Sequence, residues 1–125
     1  VGVKSAFQHV WHNYHARAWG KDEFQPITGT EGRKWGRLGL MILDSLSTMW
    51  VMGLTKEFDQ AQHWVESELR FDNPGFVSFF ETTIRALGGL ASAHALSGRP
   101  AFLRKARELA DRLLPAFAAG EPGFP

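Results

Sequence analysis

The sequence contains no cysteine. That excludes disulfide staples and thiolate metal sites, although it does not fix the compartment. No uncharged apolar run approaches the roughly 18 residues that a membrane span requires, because Gly, Ser and His interrupt the longest stretches. An excess of one charge is also missing: 14 Lys plus Arg face 13 Asp plus Glu, for a net charge of +1. Nucleic acids and anionic membranes need a clustered basic face, so that class of partner is set aside. No charged segment followed by an apolar block marks a signal peptide. Gly-rich phosphate loops, nucleophile elbows and HExxH zinc motifs are absent as well. What remains is apolar: 44% hydrophobic residues, with ten Phe and five Trp, enough for a core and too much for disorder. With 125 residues opening at Val1 and stopping at Glu121-Pro122-Gly123-Phe124-Pro125, the chain is expected to lack both natural ends.

The 3.6-residue period predicts five helices and no strand. The first covers about Val3 to Trp19, with Phe7, Val10, Trp11, Tyr14 and Ala18 on one face. A loop from Gly20 to Gly39 follows, long for a compact domain and therefore a candidate for function. The second helix, about Leu40 to Met52, ends at Gly53, a suitable C-terminal cap. The third starts from Thr55 as N-cap and runs to about Phe71, before the turn cluster Asp72-Asn73-Pro74-Gly75. The fourth spans about Val77 to Leu96 and stops at Gly98; the fifth begins with Pro100 in its first turn and reaches about Ala119.

A weak repeat lies over this pattern. Phe58, Ala61, Trp64, Val65 and Leu69 recur 45 residues on as Leu103, Ala106, Leu109, Ala110 and Leu114, and Gly53 recurs as Gly98. Helices two and three thus form one hairpin, and helices four and five a second of the same design. Helix three carries Lys56, Glu57, Asp59, Glu66, Glu68 and Arg70 opposite its apolar stripe; helix five carries Arg104, Lys105, Arg107, Glu108, Asp111 and Arg112. These are outer helices with a wet face, whereas helix two has one charge, Asp44, and helix four only Glu81 and Arg85. Alternating inner and outer helices imply an all-α toroid or barrel of αα-hairpins, or an open solenoid. Two hairpins and one further helix cannot close a ring.

Glu81 is the sharpest of the chemical candidates. A carboxylate among Phe80, Ile84 and Leu87 is expected to be desolvated, which raises its proton affinity and suits a general acid. Arg85, one helical turn on, opposes that shift, and the pair also reads as an ordinary i,i+4 ion pair worth about 0.2–0.5 kcal/mol. Asp44, beside Ser45, Ser47 and Thr48, suits either sugar hydroxyls or the cap of a neighbouring loop. Asp22, Glu23 and Trp35, with Arg33 and Lys34, place carboxylates and an indole on the long loop, a set suited to sugars and equally to a solvated surface. His9, His12 and His15 recur at three-residue spacing, yet lie among Phe7, Trp11 and Tyr14 and read as packing or exposed histidines, with no metal site assigned.

Several of these segments together resemble class I α-1,2-mannosidases, glycoside hydrolase family 47. The resemblance rests on Phe80-Glu81-Thr82-Thr83-Ile84-Arg85-Ala86-Leu87-Gly88-Gly89-Leu90 first. It is carried further by Ala18-Trp19-Gly20-Lys21-Asp22-Glu23-Phe24-Gln25-Pro26, Trp35-Gly36, Leu43-Asp44-Ser45-Leu46, Trp50-Val51-Met52-Gly53-Leu54 and Leu113-Leu114-Pro115-Ala116-Phe117. It runs nearly end to end and in order. It implies an (αα)7 barrel of which residues 1–125 are the N-terminal portion. The implied activity is removal of terminal α-1,2-linked mannose from high-mannose N-glycans, with inversion and a bound calcium whose ligands lie outside this segment. Carried over by position, Glu81 is similar to the family's catalytic acid, Arg85 to its sugar-contacting arginine and Asp44 to the first acidic residue of the inner-helix motif. Asp22 and Glu23 are expected to bind substrate. The second acidic residue of the inner-helix motif is Ser47 here, and the usual Trp-Gly-Gly reads Trp35-Gly36-Arg37. The resemblance further implies a monomer acting on high-mannose oligosaccharides or glycoproteins in the endoplasmic reticulum or Golgi, or outside the cell. The alternatives are a degenerate mannose-binding relative of the degradation-enhancing branch and a helical-repeat scaffold that binds protein.

Overall fold

The computed structural model describes residues 2–32, 35–73 and 75–119. Arg33 and Lys34 of the loop, Pro74 of the turn cluster and the 121–125 segment lie outside the described residues. The chain is mostly helical: α1 (Gly2–Arg17), α2 (Leu40–Val51), α3 (Thr55–Ser67), α4 (Phe79–Glu81), α5 (Gly88–Ser97), α6 (Pro100–Leu113) and a short α7 (Ala116–Ala119). Between α4 and α5 the backbone stays helical but widens into a π-helix, Thr82–Leu87, so residues 79–97 form one continuous rod.

Both hairpin turns are closed by the expected glycines. At the end of α2, Gly53 sits at φ 66. Its N–H donates to the Trp50 carbonyl (3.0 Å), and the Leu54 N–H donates to that of Met49 (2.9 Å), a pairing that satisfies two otherwise orphaned carbonyls. Gly98, at φ 68, closes α5 by donating to His94 (2.8 Å). The connection after Gly53 is so tight that Leu54 occupies the N-cap of α3 without a side-chain bond; Thr55, expected there, is already helical. Two predicted ends move inward. Ser67 ends α3, and Leu69 folds back into the core at 1% exposure. Leu113 ends α6: Leu114 keeps helical angles (φ -52, ψ -40) and its N–H still donates to the Ala110 carbonyl, but Pro115 has no N–H with which to continue the ladder. Leu114, assigned to the apolar stripe, is consequently 61% exposed.

The periodicity predicts no strand, but a short antiparallel ribbon is present. Glu23–Gln25 (β1) and Thr30–Gly32 (β2) pair antiparallel, Glu23 opposite Gly32 and Gln25 opposite Thr30. Strands of three residues are too short to show an alternating pattern. A Cβ at position 32 would lie 2.8 Å from Glu23 Oε2, so only glycine lets the ribbon close there.

Helix α2 packs on α3 and α5, while α6 closes against both. Ile42, Leu43, Leu46 and Met49 of α2 meet Phe58 and Val65 of α3, Leu90 of α5, Phe102 of α6, and Trp11 and Tyr14 of α1, all essentially without exposure. Each such side chain stabilises the fold by about 1.5–3 kcal/mol. The α2–α5 crossing is close because Gly89 faces the Leu43 carbonyl, whose oxygen a Cβ would approach to 2.7 Å. Ser47 and Ser92, equivalent positions of the 45-residue repeat, share a 2.7 Å hydrogen bond across the same crossing.

Two burial expectations are corrected. Glu57, assigned to the wet face of α3, is 6% exposed because α1 crosses it; it accepts a 3.0 Å bond from Gln8 Nε2. Conversely, the 79–97 rod is not enclosed on most sides: Phe80 and Ile84 are 65% and 52% exposed.

Candidate active site

Asp44 lies in the second turn of α2, and Glu81 and Arg85 straddle the start of the π-helix on the neighbouring rod. The crossing at Gly89 brings these two helices close enough for Arg85 to reach Asp44. Its Nε and Nη2 both donate to Asp44 Oδ2, at 2.9 and 2.7 Å. Nη1 meanwhile lies 3.8 Å from Glu81 Oε2. One guanidinium therefore spans two carboxylates from adjacent helices. The hydrogen bond to Asp44 is the main cause that raises the Arg85 pKa, with partial desolvation opposing it and the charges of Asp44, Glu81 and Glu23 adding to it. Asp44 engages Arg85 rather than capping a loop. Glu81 keeps 31% of its side chain exposed, so the dry surroundings expected for it are not formed within this segment.

The ribbon supplies the other wall. Glu23 Oε1 accepts a 2.7 Å bond from Trp35 Nε1, and the Trp35 ring lies under the Arg85 guanidinium, 5.1 Å from centroid to Cζ. Asp22, Glu23, Phe24, Met41, Asp44, Ser45 and Arg85 line an open cleft of about 330 Å³, large enough for a sugar ring. Larger hollows beside Trp19 and Trp64 contain none of Glu23, Asp44, Glu81 and Arg85.

Asp22 borders the same cleft, where the backbone also takes up its carboxylate. It is 2% exposed, and its two oxygens accept from the backbone N–H groups of Arg37 (2.8 Å), Leu38 (2.8 Å) and Leu40 (3.3 Å). It thereby clamps the loop onto the N-terminus of α2, where a carboxylate also complements the helix dipole. Asn73, read only as a turn residue, helps by donating to the Arg37 carbonyl (2.9 Å). Arg37 itself sits at φ 60, a left-handed conformation that favours glycine and falls where the family's motif carries one. Of the expected residues, then, Asp44, Glu81, Arg85 and Glu23 come together, and Asp22, at the edge of the same cleft, holds the loop in place. The π-turn had no signal in the sequence.

His9, His12 and His15 are exposed on α1, and among the described residues no three His, Cys, Asp or Glu side chains are grouped to hold a metal. No helix among them is long and apolar enough to cross a membrane.

Residues 6–125 match the family described as Glycosyl hydrolase family 47. The chain is 51% identical over 115 residues to a mannosyl-oligosaccharide 1,2-alpha-mannosidase of Arabidopsis thaliana, covering 92% of this chain and 20% of that protein. It is 48% identical over 116 residues to the endoplasmic reticulum mannosyl-oligosaccharide 1,2-alpha-mannosidase of Homo sapiens, covering 93% and 16%. Its fold superposes on an alpha-1,2-mannosidase from Trichoderma reesei with a TM-score of 0.84 at 32% identity, over 93% of this chain and 27% of that one. The chain thus spans about a fifth of the length of the curated relatives it matches.

Proposed function

The chain belongs to glycosyl hydrolase family 47, and on that premise we propose that it is the N-terminal portion of an (αα)7-barrel domain that hydrolyses terminal α-1,2-linked mannose in high-mannose N-glycans. The observation that carries this reading is the Arg85 guanidinium held between Asp44 and Glu81 at the mouth of an open cleft. Glu81 acts as the general acid that protonates the departing sugar oxygen, directly or through a water. Arg85 and Asp44 orient the sugar hydroxyls beside the scissile bond. Glu23 completes the wall, with Asp22 holding its loop. The apolar face of Phe80 and Ile84 receives the next hairpin of the barrel and excludes the water that now reaches Glu81.

Inversion requires a second carboxyl group about 6.5–9.5 Å from the first, with the attacking water between them. Asp44 is engaged by Arg85 and does not fill that place, so the base belongs to residues beyond this segment. Calcium likewise does not fit the residues described: they offer no ligand group, and the carboxylates of the cleft are committed to Arg85, Trp35 and backbone N–H groups. No step proposed for these side chains passes through it. The whole protein is read as a monomer acting on glycoproteins or their released oligosaccharides in the endoplasmic reticulum or Golgi, or outside the cell; the compartment in the human relative's name supports that reading.

The test is mannose release from a high-mannose oligosaccharide by the full-length protein, followed by proton NMR. The first product expected is β-mannose, and residues 1–125 alone are expected to release none. An α-mannose product would contradict inversion, and release by the isolated 125 residues would contradict the missing base. Binding without release would turn the assignment to a lectin-like relative.

A further inference from the structure

We propose that Trp35 is a positioning residue, whose indole face holds the Arg85 guanidinium in register between Asp44 and Glu81. This rests on the hydrolase reading and deepens it. Arginine is a long, rotamer-rich side chain, and here it must satisfy two carboxylates on different helices at once. It also springs from the π-helical segment, where the wider turn makes the side chain's direction depend on what lies against it. Asp44 fixes one edge of the fork through two bonds to a single oxygen. That leaves rotation about this edge free, and the Trp35 face removes it by attracting the cation from below.

The indole itself is fixed on three sides. Its Nε1 donates to Glu23 Oε1 at 2.7 Å. Its neighbour Gly36, at φ 89, presses on Val77 where a Cβ could not fit. The following residues are pinned by Asn73 to the Arg37 carbonyl and by Asp22 to the N–H groups of Arg37 and Leu38. An indole serving as a sugar platform keeps a face open and its N–H available. Trp35 has the guanidinium on one face and its N–H committed, so it shapes the site through Arg85.

A double-mutant cycle in the full-length protein tests this. Trp35→Ala is expected to lower kcat/KM about 10- to 100-fold, as a misplaced charged group does, while Trp35→Phe, which retains a ring face, stays within about 5-fold of wild type. Adding Trp35→Ala to Arg85→Ala should then cost no more than about 3-fold beyond Arg85→Ala alone, since the two act as one unit. Losses that multiply in full, or wild-type kcat/KM in Trp35→Ala, overturn the proposal. Failure of the wild-type protein to release mannose would sink the hydrolase reading by itself. The same four proteins would then be compared by thermal unfolding, where non-additive shifts sustain the stack and additive shifts overturn it.

Discussion

The hairpin of α2 and α3 and the hairpin of residues 79–97 and α6 share a turn glycine, a spacing and an apolar pattern, yet their surroundings differ. In the first, Phe58 packs between Trp50 and Phe102, and Phe58, Ala61, Trp64, Val65 and Leu69 are all buried. The equivalent stripe of the second is unevenly covered: Ala106 and Leu109 are buried, Leu103 and Ala110 half-buried and Leu114 exposed. Each hairpin carries one instructive glutamate. Glu57 of the sheltered hairpin is closed off by Gln8 and lies 3.9 Å from His12. Glu81 of the open one keeps 31% of its side chain exposed, with the Arg85 guanidinium 3.8 Å away. The pattern that builds a hairpin is thus common to both, while the chemistry sits where the second departs from the first: in the π-turn, and on the side left open.

The comparison can be broken most sharply at Glu81. Glu81→Gln in the full-length protein should lower kcat by about 10²–10⁴-fold, the usual share of a general acid, with sugar binding by calorimetry retained. Unchanged turnover would reduce Glu81 to a structural ion pair. The shared helix crossing comes next. Gly89→Ala drives a methyl group onto the Leu43 carbonyl and should destabilise the fold by about 1–3 kcal/mol, measured by denaturant unfolding. The turn glycines should behave alike: Gly53 and Gly98 have open space around a Cβ and only positive φ to defend, so alanine at either should cost about 1–2 kcal/mol. A large difference between the two would show that the hairpins are not built on one plan.

The smallest effect separates the two glutamates by pH. The Gln8 hydrogen bond holds the Glu57 carboxyl below its ordinary value of 4.5, with the His12 and Lys56 charges assisting and burial opposing. A folded-state pKa below the unfolded one means that the ionised group stabilises the fold fully above the unfolded value and loses that contribution as pH falls through the folded value. The melting-temperature advantage of wild type over Glu57→Gln should therefore be constant near neutrality and shrink below pH 4.5. An advantage that persists unchanged in acid would remove the ionised carboxylate from the account.

Much of the site was legible because its signal is local. Few charges on an inner helix stand out, and Glu81 and Arg85 lie one turn apart on the same rod, so the pair is visible without any knowledge of packing. Asp44 was visible as the lone charge of α2, though its partner was not, since 41 residues separate it from Arg85. What stayed hidden is set by something distant in sequence. That three backbone N–H groups close on Asp22 has no local trace, and Glu57 resembles surface until Gln8 of α1 covers it.

The mostly helical fold, the hairpin glycines and family membership were determined by the sequence alone, because periodicity, left-handed turns and motif order are written within a few residues of one another. The tertiary structure alone decided which carboxylate Arg85 would grasp, that Trp35 would lie beneath it, that a six-residue stretch would widen into a π-turn and that two three-residue strands would pair. Those outcomes depend on contacts between remote segments and on small energy differences between competing local geometries, neither of which leaves a periodic trace in the chain.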